Sequence, residues 1–327
     1  MQSVSQFYME PTRILITGAE GQIGQALVRL TRNDAHFSVT ALSRRQMDIT
    51  RREKVSEVLA AELPDYVVNC AGFNRVDPAE RNPQWAYEAN QHGPALLAEI
   101  CGDMSIPLLH LSSDYVFDGH YASGYTEADE AAPLGIYGDS KWQGEEHIRQ
   151  RLPRHIILRV SWLFSESGSN FLLKTLQQAR SEVRMVAADD RRGCPTSADD
   201  VGRVLMAILQ QLVNGAEAWG TYHYCGAEIT TRYGFSEAIL AAARQYEQLK
   251  VSELVPVTSK DLPDEAAERP ASSVLKCSKL LNTFGIRQRP WRSELQRLVR
   301  ELYESGRLEQ AQSRGVGAGD ADQVAEA

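Results

Sequence analysis

The sequence has few cysteines, and their spacing suggests no pair. Among 327 residues there are five, scattered along the chain: Cys70, Cys101, Cys194, Cys225 and Cys277. No Cys-x-x-Cys motif occurs. An odd, dispersed set of cysteines is typical of free thiols in a reducing compartment. We therefore expect a cytoplasmic protein.

Long apolar runs and basic blocks are also absent. No apolar segment approaches the roughly 20 residues that a helix needs to cross a bilayer, and the amino terminus does not resemble a secretory signal. The net charge is −8, and no block of Lys and Arg forms a surface for nucleic acid. His92, His110 and His223 show no ligand-like spacing. We expect no membrane, no nucleic-acid partner and no metal site.

What is present begins with three glycines between an apolar run and a helical pattern. The run covers residues 14–16, the glycines are Gly18, Gly21 and Gly24, and helical spacing continues to Leu30. Glycines let the backbone turn tightly and approach a pyrophosphate, whose charge lies on the N–H groups at the helix start. This order predicts a dinucleotide-binding turn, and a purely structural turn is the alternative.

Strands and helices alternate after this turn. Strands are predicted at residues 38–42, 66–69, 107–111 and 155–160, and helices at 52–62, 82–101 and from 137 to about 151. This order favours an α/β fold with a doubly wound parallel Rossmann sheet. Beyond Trp162 the alternation is less regular, which predicts a smaller, mixed α/β substrate-binding lobe.

The same patterns suggest domain boundaries. We assign residues 12–161 to the dinucleotide-binding Rossmann domain, with residues 196–222 returning to it. Residues 162–195 and 223–304 are expected to form the substrate-binding lobe. Residues 1–11 and 306–327 lack apolar periodicity, and we expect them to be disordered.

The turn after the second predicted strand bears on the choice of cofactor. Ser43, Arg44 and Arg45 follow that strand, and no acidic residue occurs before Asp48. A carboxylate at this position binds the ribose 2′-hydroxyl of NAD, whereas an arginine suits a 2′-phosphate. We expect NADPH, with Arg44 as a contact. NADH stays open as the alternative, because arginines are also common in surface turns.

Tyr137 and Lys141 are four residues apart on a predicted helix, so they share one face. An ammonium about 4 Å from a phenol contributes about 4 kcal/mol at an effective dielectric constant near 20. That is enough to lower the pKa of a tyrosine by two or three units. Ser113 follows a neighbouring strand and can donate a hydrogen bond to the same carbonyl oxygen. Together with the glycines, Ser113, Tyr137 and Lys141 predict the catalytic site of a reductase.

These residues resemble the motifs of the extended short-chain dehydrogenase/reductase superfamily. Narrower motifs resemble the dTDP-4-dehydrorhamnose reductase family: Leu111-Ser-Ser-Asp-Tyr-Val-Phe-Asp-Gly119, Gly193-Cys-Pro-Thr196, Gly220-Thr-Tyr-His223 and Arg269-Pro270. The resemblance extends from about residue 13 to residue 298. It implies that the chain uses NADPH to reduce the 4-keto group of dTDP-4-dehydro-L-rhamnose, which gives dTDP-L-rhamnose.

The resemblance also implies roles for individual residues. The cofactor contacts it implies are Gly21, Gln22 and Ile23 at the pyrophosphate, Asp48 and Ile49 at the adenine, and Gly72, Phe73 and Asn74 on the turn after the third strand. The substrate contacts it implies are Ser113 and Asp114 at the sugar, Trp162 at the hexose ring, and Asn170 and Arg269 at the diphosphate. Tyr137 would donate the proton and Lys141 would bind the nicotinamide ribose.

Four of these residues also have a purely structural interpretation. Ser113 can cap a turn, Asp114 can form an Asx turn, Trp162 can be a core aromatic, and Arg269 can be a solvated loop residue. The sequence departs from the family beside the catalytic helix: Gly135 stands where the family usually has asparagine, and Asp139-Ser140 where it often has Lys-Thr.

Other functions stay open at this stage. The regulatory β subunit of methionine adenosyltransferase resembles the same family and acts by docking to another enzyme, so a non-catalytic role is one alternative. Another nucleotide-sugar epimerase or dehydratase is a second. A nucleotide-sugar substrate is the expected partner, and a homodimer is left open.

Overall fold

The computed structural model describes residues 10–32, 34–262 and 266–306. Nearly all of the two terminal segments predicted to be disordered, residues 1–11 and 306–327, lie outside the described residues. The strands are β1 (Thr12–Thr17), β2 (Phe37–Leu42), β3 (Tyr66–Asn69), β4 (Leu108–Ser113), β5 (His155–Val160), β6 (Leu163–Phe164), β7 (Arg184–Ala188), β8 (Arg192–Gly193), β9 (Thr196–Ser197), β10 (Gly220–Tyr224), β11 (Thr230–Thr231) and β12 (Glu253–Val257). The α-helices are α1 (Gln22–Thr31), α2 (Arg52–Glu62), α3 (Val76–Arg81), α4 (Pro83–Tyr87), α5 (Gly93–Asp103), α6 (Ile136–Arg151), α7 (Phe171–Ser181), α8 (Ala198–Val213), α9 (Arg232–Ala243), α10 (Ser278–Phe284) and α11 (Trp291–Glu304).

Six of these strands form one parallel sheet in the order β10-β5-β4-β3-β1-β2. Alternate residues of β1 face opposite layers: Ile14 and Ile16 pack with α1 and α8, and Leu15 packs with α2, α5 and α6. A sheet covered on both faces needs strands that are apolar on both sides, which is why its strands are continuous buried runs. The prediction of a doubly wound parallel sheet is confirmed.

The chain returns to this sheet late in the sequence. Helix α8 packs on α1, and β10 pairs in parallel with β5, with Thr221 opposite Ile157. The parallel strands all end at the same edge of the sheet, so the segments that follow β1, β3, β4 and β5 lie near one another. This edge carries the residues that the sequence singled out.

A second apolar cluster lies outside the sheet. Helices α7, α9 and α11 pack around Phe235 and Trp291, whose rings meet edge to face with centroids 5.3 Å apart. Strands β7 and β12 form a separate parallel pair beside them. Short pairs of β6 with β9 and of β8 with β11 accompany this cluster.

The long helix predicted over residues 82–101 is present, because helical structure is continuous over residues 83–103. The segment consists of α4, a π-helical turn over Glu88–His92, and α5, and it is preceded by α3, which was not predicted. In the π turn, the N–H of Gly93 donates to the carbonyl O of Glu88, five residues back. Pro94 has no N–H to continue the α-helical pattern, so the hydrogen-bond register changes immediately before it.

Candidate active site

The glycines after β1 are packed too tightly for side chains. Gly18 has a φ of +63°, and a Cβ there would lie 2.6 Å from the backbone N of Ala71. A Cβ on Gly24 would lie 2.3 Å from the carbonyl O of Gly18. Gly21 precedes α1, whose first turn receives no side-chain cap from the described residues, so its N–H groups can bind an anion. Gly18, Gly21, Gly24 and the first N–H groups of α1 form a cradle that fits the pyrophosphate of a dinucleotide.

A loop from the second half of the chain closes on this turn. The Oγ of Ser165 donates to Oε1 of Gln22 (2.8 Å), and the Oγ of Ser167 donates to Oε1 of Gln25 (3.0 Å). Asn170 holds the loop, because its Nδ2 donates to the carbonyl O atoms of Ser165 (3.0 Å) and Ser167 (3.1 Å) while its Oδ1 caps α7. The Asn170 amide therefore shapes the loop, and its contact with a diphosphate stays a prediction.

Arg44 and Asp48 lie together after β2. The Nε of Arg44 is 3.5 Å from Oδ2 of Asp48, whose Oδ1 accepts from the N–H (3.0 Å) and the Oγ1 (2.8 Å) of Thr50. Burial raises the pKa of Asp48, but the hydrogen bonds from Thr50 and Arg44 lower it overall. Ile49 is buried against Gly93, where a Cβ would lie 2.6 Å from its Cδ1. Arg44 is more than half exposed and accessible to a 2′-phosphate.

The turn after β3 lies against Lys141. A Cβ on Gly72 would be 2.8 Å from the Nζ of Lys141, so only glycine leaves room for the ammonium. Phe73 is buried and Asn74 is exposed. The structure therefore brings Gly72 and Phe73 next to the catalytic helix, while the side chain of Asn74 lies at the surface.

Asn90 in the π turn is a site residue that the sequence reasoning missed. It is fully buried, and its Oδ1 accepts from the N–H of Phe73 (2.8 Å). Its Nδ2 donates to the carbonyl O of Phe73 (2.9 Å) and to the Oγ of Ser140 (3.1 Å). Asn90 thereby ties the β3 turn to α6. The Gly93-Pro94 pair is the one sequence signal that could have located the π turn.

Ser113, Tyr137 and Lys141 come together at the carboxyl edge of the sheet. Ser113 ends β4, and the other two lie in the first and second turns of α6. All three are more than nine-tenths buried. The Nζ of Lys141 donates to the carbonyl O of Leu111 (3.4 Å), and the Ser113 hydroxyl interacts with the Tyr137 phenol. A hydroxyl, a phenol and an ammonium therefore lie together at the carboxyl end of β4.

The expected lowering of the Tyr137 pKa by Lys141 is wrong for this arrangement. Burial raises the pKa of Tyr137 well above its ordinary value, and Asp114 and Tyr115 raise it further, while Ser113 acts in the opposite direction. Burial also lowers the pKa of Lys141 to about 8. The phenol is thus fully protonated at neutral pH, which is the form that can donate a proton.

The residue after Ser113 is a buried carboxylate surrounded by serines. Asp114 accepts from the Oγ of Ser113 (3.0 Å) and from the Oγ of Ser161 (3.2 Å). Burial raises its pKa, and the serine hydrogen bonds offset part of that effect. Ser113 also caps a short turn, because its Oγ accepts from the N–H of Tyr115 (3.2 Å). The ring of Tyr115 meets that of Tyr137 edge to face, with centroids 5.4 Å apart.

Two predicted substrate residues have protein partners. Trp162, with φ +45°, is buried, and the guanidinium carbon of Arg232 lies 3.6 Å from its ring centre. The guanidinium of Arg269 forms a two-point pair with Asp77 of α3, at 3.1 and 2.6 Å. Trp162 therefore presents at most one free face, and Arg269 joins the late part of the chain to α3. Their contacts with substrate stay predictions.

Both departures from the family beside α6 have partners in the structure. Gly135 leaves room for Glu80 of α3, whose Oε1 would lie 2.4 Å from a Cβ at that position and accepts from the N–H of Ile136 (2.6 Å). Asp139 accepts from the hydroxyl of Tyr87 (2.6 Å). Glu80 thus supplies the cap that an asparagine side chain would supply at position 135.

A buried ion pair joins α6, the helix that carries Tyr137 and Lys141, to strand β5. Glu145, one turn beyond Lys141, is fully buried and accepts from Nε (2.9 Å) and from a terminal nitrogen (2.6 Å) of Arg159. Burial raises the pKa of Glu145, but Arg159 and Arg149 lower it to about 2. The resulting carboxylate favours the charged form of Lys141.

Two features are absent from residues 10–32, 34–262 and 266–306. In that part of the chain no helix is long and apolar enough to cross a membrane. In the same residues, no three or more His, Cys, Asp or Glu side chains are grouped so that they could hold a metal ion.

Comparison with known proteins gives consistent relatives. The family described as the RmlD substrate binding domain matches residues 12–304. A dTDP-4-dehydrorhamnose reductase of Sinorhizobium fredii is 35% identical over 299 residues, which is 90% of this chain and 99% of the relative. A dTDP-4-keto-6-deoxy-D-glucose reductase of Streptomyces niveus is 38% identical over 68% of this chain and 75% of its own length.

Solved structures agree with these relatives. A dTDP-4-dehydrorhamnose reductase of Clostridium acetobutylicum superposes with a TM-score of 0.83 at 30% identity, covering 89% of this chain and 99% of that one. The Bacillus anthracis dTDP-4-dehydrorhamnose reductase, solved in complex with NADP, gives a TM-score of 0.81 at 29% identity with the same coverage.

Proposed function

The chain belongs to the RmlD substrate-binding-domain family, and from that premise we propose that it reduces the 4-keto group of dTDP-4-dehydro-L-rhamnose with NADPH. The product is dTDP-L-rhamnose. The observation that carries the proposal is the grouping of Ser113, Tyr137 and Lys141 beside the glycine turn. A hydroxyl, a protonated phenol and an ammonium are the groups that a carbonyl reduction needs on the protein side.

The cofactor and the three protein side chains have different roles in the reduction. NADPH, when bound, supplies the hydride that adds to C4 of the sugar. Ser113 donates a hydrogen bond to the carbonyl oxygen, and Tyr137 donates the proton that converts the resulting alkoxide to an alcohol. Lys141 would bind the hydroxyls of the nicotinamide ribose when the cofactor is present.

The cofactor fits the residues at the first turn. Gly21, Gln22 and Ile23 would hold the pyrophosphate at the start of α1, where a Cβ on the neighbouring glycines would close the cradle. Arg44 would bind the 2′-phosphate, since its guanidinium is accessible. Asp48, Ile49, Gly72, Phe73 and Asn74 would line the remaining cofactor surface.

The experiment is a coupled assay with the purified protein. The keto sugar is generated from dTDP-glucose by the preceding enzymes, NADPH oxidation is followed by absorbance, and the sugar product is identified. We expect NADPH oxidation that depends on the keto sugar and yields dTDP-L-rhamnose. No oxidation with freshly made keto sugar would contradict the proposal. dTDP-4-keto-6-deoxy-D-glucose serves as the competing substrate, because one relative is named for its reduction.

We also propose a cytoplasmic location, a homodimer, and the domain division at residues 12–161 and 196–222 against the remainder. All five cysteines are free thiols, and the Sγ atoms of Cys225 and Cys277 stay 3.8 Å apart without a bond. The odd number and scattered spacing of the five cysteines support a reducing compartment. Cell fractionation tests the location, and light scattering of the purified protein tests the oligomeric state.

A further inference from the structure

The guanidinium of Arg232, the first residue of α9, lies over two aromatic rings. Its guanidinium carbon lies 3.6 Å from the ring centre of Trp162 and 4.7 Å from that of Phe171. Gly193 leaves room for the indole, since a Cβ there would lie 2.3 Å from Cε2 of Trp162. Contact with two rings restricts the guanidinium, whose N–H groups can still donate to other partners.

No protein partner uses those N–H groups in the described part of the chain. There the Arg232 guanidinium forms neither an ion pair nor a hydrogen bond, although the side chain is only partly exposed. A partly buried cation without a carboxylate is costly unless an anion binds it. Arg29, Arg159, Arg269 and Arg297 each pair with a carboxylate, so Arg232 differs from them in this respect.

The surroundings of Arg232 concentrate positive charge beside the catalytic residues. Burial lowers the pKa of Arg232 to about 10, and the charges of Arg191 and Arg269 lower it as well, whereas Tyr115 and Asp114 raise it. Tyr115 interacts with these arginines and also meets the ring of Tyr137. On a chain of net charge −8, this is a local site for an anion next to the reacting phenol.

We propose that Arg232 binds the diphosphate of the nucleotide-sugar substrate, with Trp162 and Phe171 restricting its guanidinium. The inference rests on the proposed function, which supplies the diphosphate as the anion. The planar fork of arginine suits bidentate contacts with phosphate oxygens. Trp162 then acts on the substrate through Arg232 as a positioning residue.

The test is the affinity for dTDP, measured by calorimetry on the full chain. Charge-assisted hydrogen bonds are worth about 1.5–3 kcal/mol, so Arg232→Met is expected to weaken dTDP binding about 10- to 100-fold and to leave NADPH binding unchanged. Arg232→Lys keeps the charge without the stacked fork and should lose less. Arg232→Gln gives the same readout as the methionine variant should the latter fail to fold.

Arg292→Met is the matched control. Arg292 also stacks on a tryptophan, at 4.3 Å from the ring centre of Trp291, but it pairs with Glu228 and is half exposed. We expect this variant to bind dTDP like the unaltered chain. Unchanged dTDP affinity in both Arg232→Met and Arg232→Gln would overturn the inference, and so would an equal loss of dTDP and NADPH binding.

The two proposals can fail separately. If dTDP binding depends on Arg232 but no keto sugar is reduced, the diphosphate site stands and the proposed reaction is wrong. If the keto sugar is reduced but the affinity for dTDP does not depend on Arg232, the proposed reaction is correct and this inference is wrong.

Discussion

At the scale of single residues, the environment of Tyr137 decides which chemistry is available. A phenolate would be the base for oxidising an alcohol, whereas a protonated phenol is the acid for reducing a ketone. Burial and the neighbouring Asp114 hold the pKa of Tyr137 above its ordinary value. The phenol therefore carries its proton at neutral pH, as a proton donor to a ketone must.

Replacement of Tyr137 tests this role. Tyr137→Phe removes the donated proton and keeps the ring packed against Tyr115, so we expect kcat to fall about 10²- to 10⁴-fold with NADPH binding retained. Tyr246→Phe, at an exposed tyrosine stacked on Tyr303, is the control and should leave kcat unchanged. A Tyr137→Phe enzyme with full activity would remove the tyrosine from the mechanism.

The pH dependence of the rate tests Lys141. Burial lowers its pKa to about 8, with Glu145 and Cys70 acting in the opposite direction, so the ammonium is present below that pH and lost above it. We expect kcat to be constant from about pH 6 to 7.5 and to fall as pH rises through about 8. In Lys141→Arg the cation persists, because the guanidinium pKa exceeds 12, and the alkaline decline should disappear. A kcat that stays constant to pH 9.5 in the unaltered chain would contradict this assignment.

At the scale of elements, the π turn between α4 and α5 determines where Asn90 lies. The π turn over Glu88–His92 points Asn90 into the protein, where it holds the turn after β3. π turns inserted in helices are frequent at functional sites for this reason. The start of α6 is fixed on its other side by Glu80 and Tyr87, so helices α3 and α4 position the catalytic helix.

Removal of the Asn90 amide tests this connection. Asn90→Ala leaves the buried N–H and C=O of Phe73 without partners, which costs about 1–3 kcal/mol per group, so we expect the free energy of unfolding to fall by about 2–6 kcal/mol. Urea denaturation measures the change. Asn214→Ala is the control, since Asn214 is exposed and bonds only to the carbonyl of Gln210 among the described residues. A loss equal to that of the control would contradict the role.

At the scale of the whole molecule, ion pairs join parts of the chain that are distant in sequence. Asp199 at the start of α8 binds Arg29 of α1 and Arg297 of α11, the latter at 2.8 Å. Asp77 and Arg269 link α3 to the segment before α10. The sheet and the second apolar cluster are thereby connected around the site.

Replacement of Asp199 tests one of these links. Burial raises the pKa of its carboxyl, but Arg297 and Arg29 lower it overall, so the pairs contribute stability above the unfolded pKa of about 3.9. That contribution is lost as pH falls through the folded pKa, which lies lower. Because these side chains are partly exposed, we expect Asp199→Asn to cost about 1 kcal/mol at pH 7. Thermal unfolding should show that Asp199→Asn is less stable than the unaltered chain at pH 7 and equally stable near pH 2. An equal loss of stability at both pH values would contradict the role of these ion pairs.

The sequence by itself determined the strands, the glycine turn and the grouping of Ser113, Tyr137 and Lys141. Each depends on local rules: buried runs form parallel strands, glycines occupy tight turns, and residues four apart share a helix face. Only the tertiary structure decided the π turn at Asn90, the contact of Arg232 with Trp162, and the direction in which the Tyr137 pKa moves. These features arise where segments far apart in the chain meet, and burial and charge at such contacts have no counterpart in residue spacing.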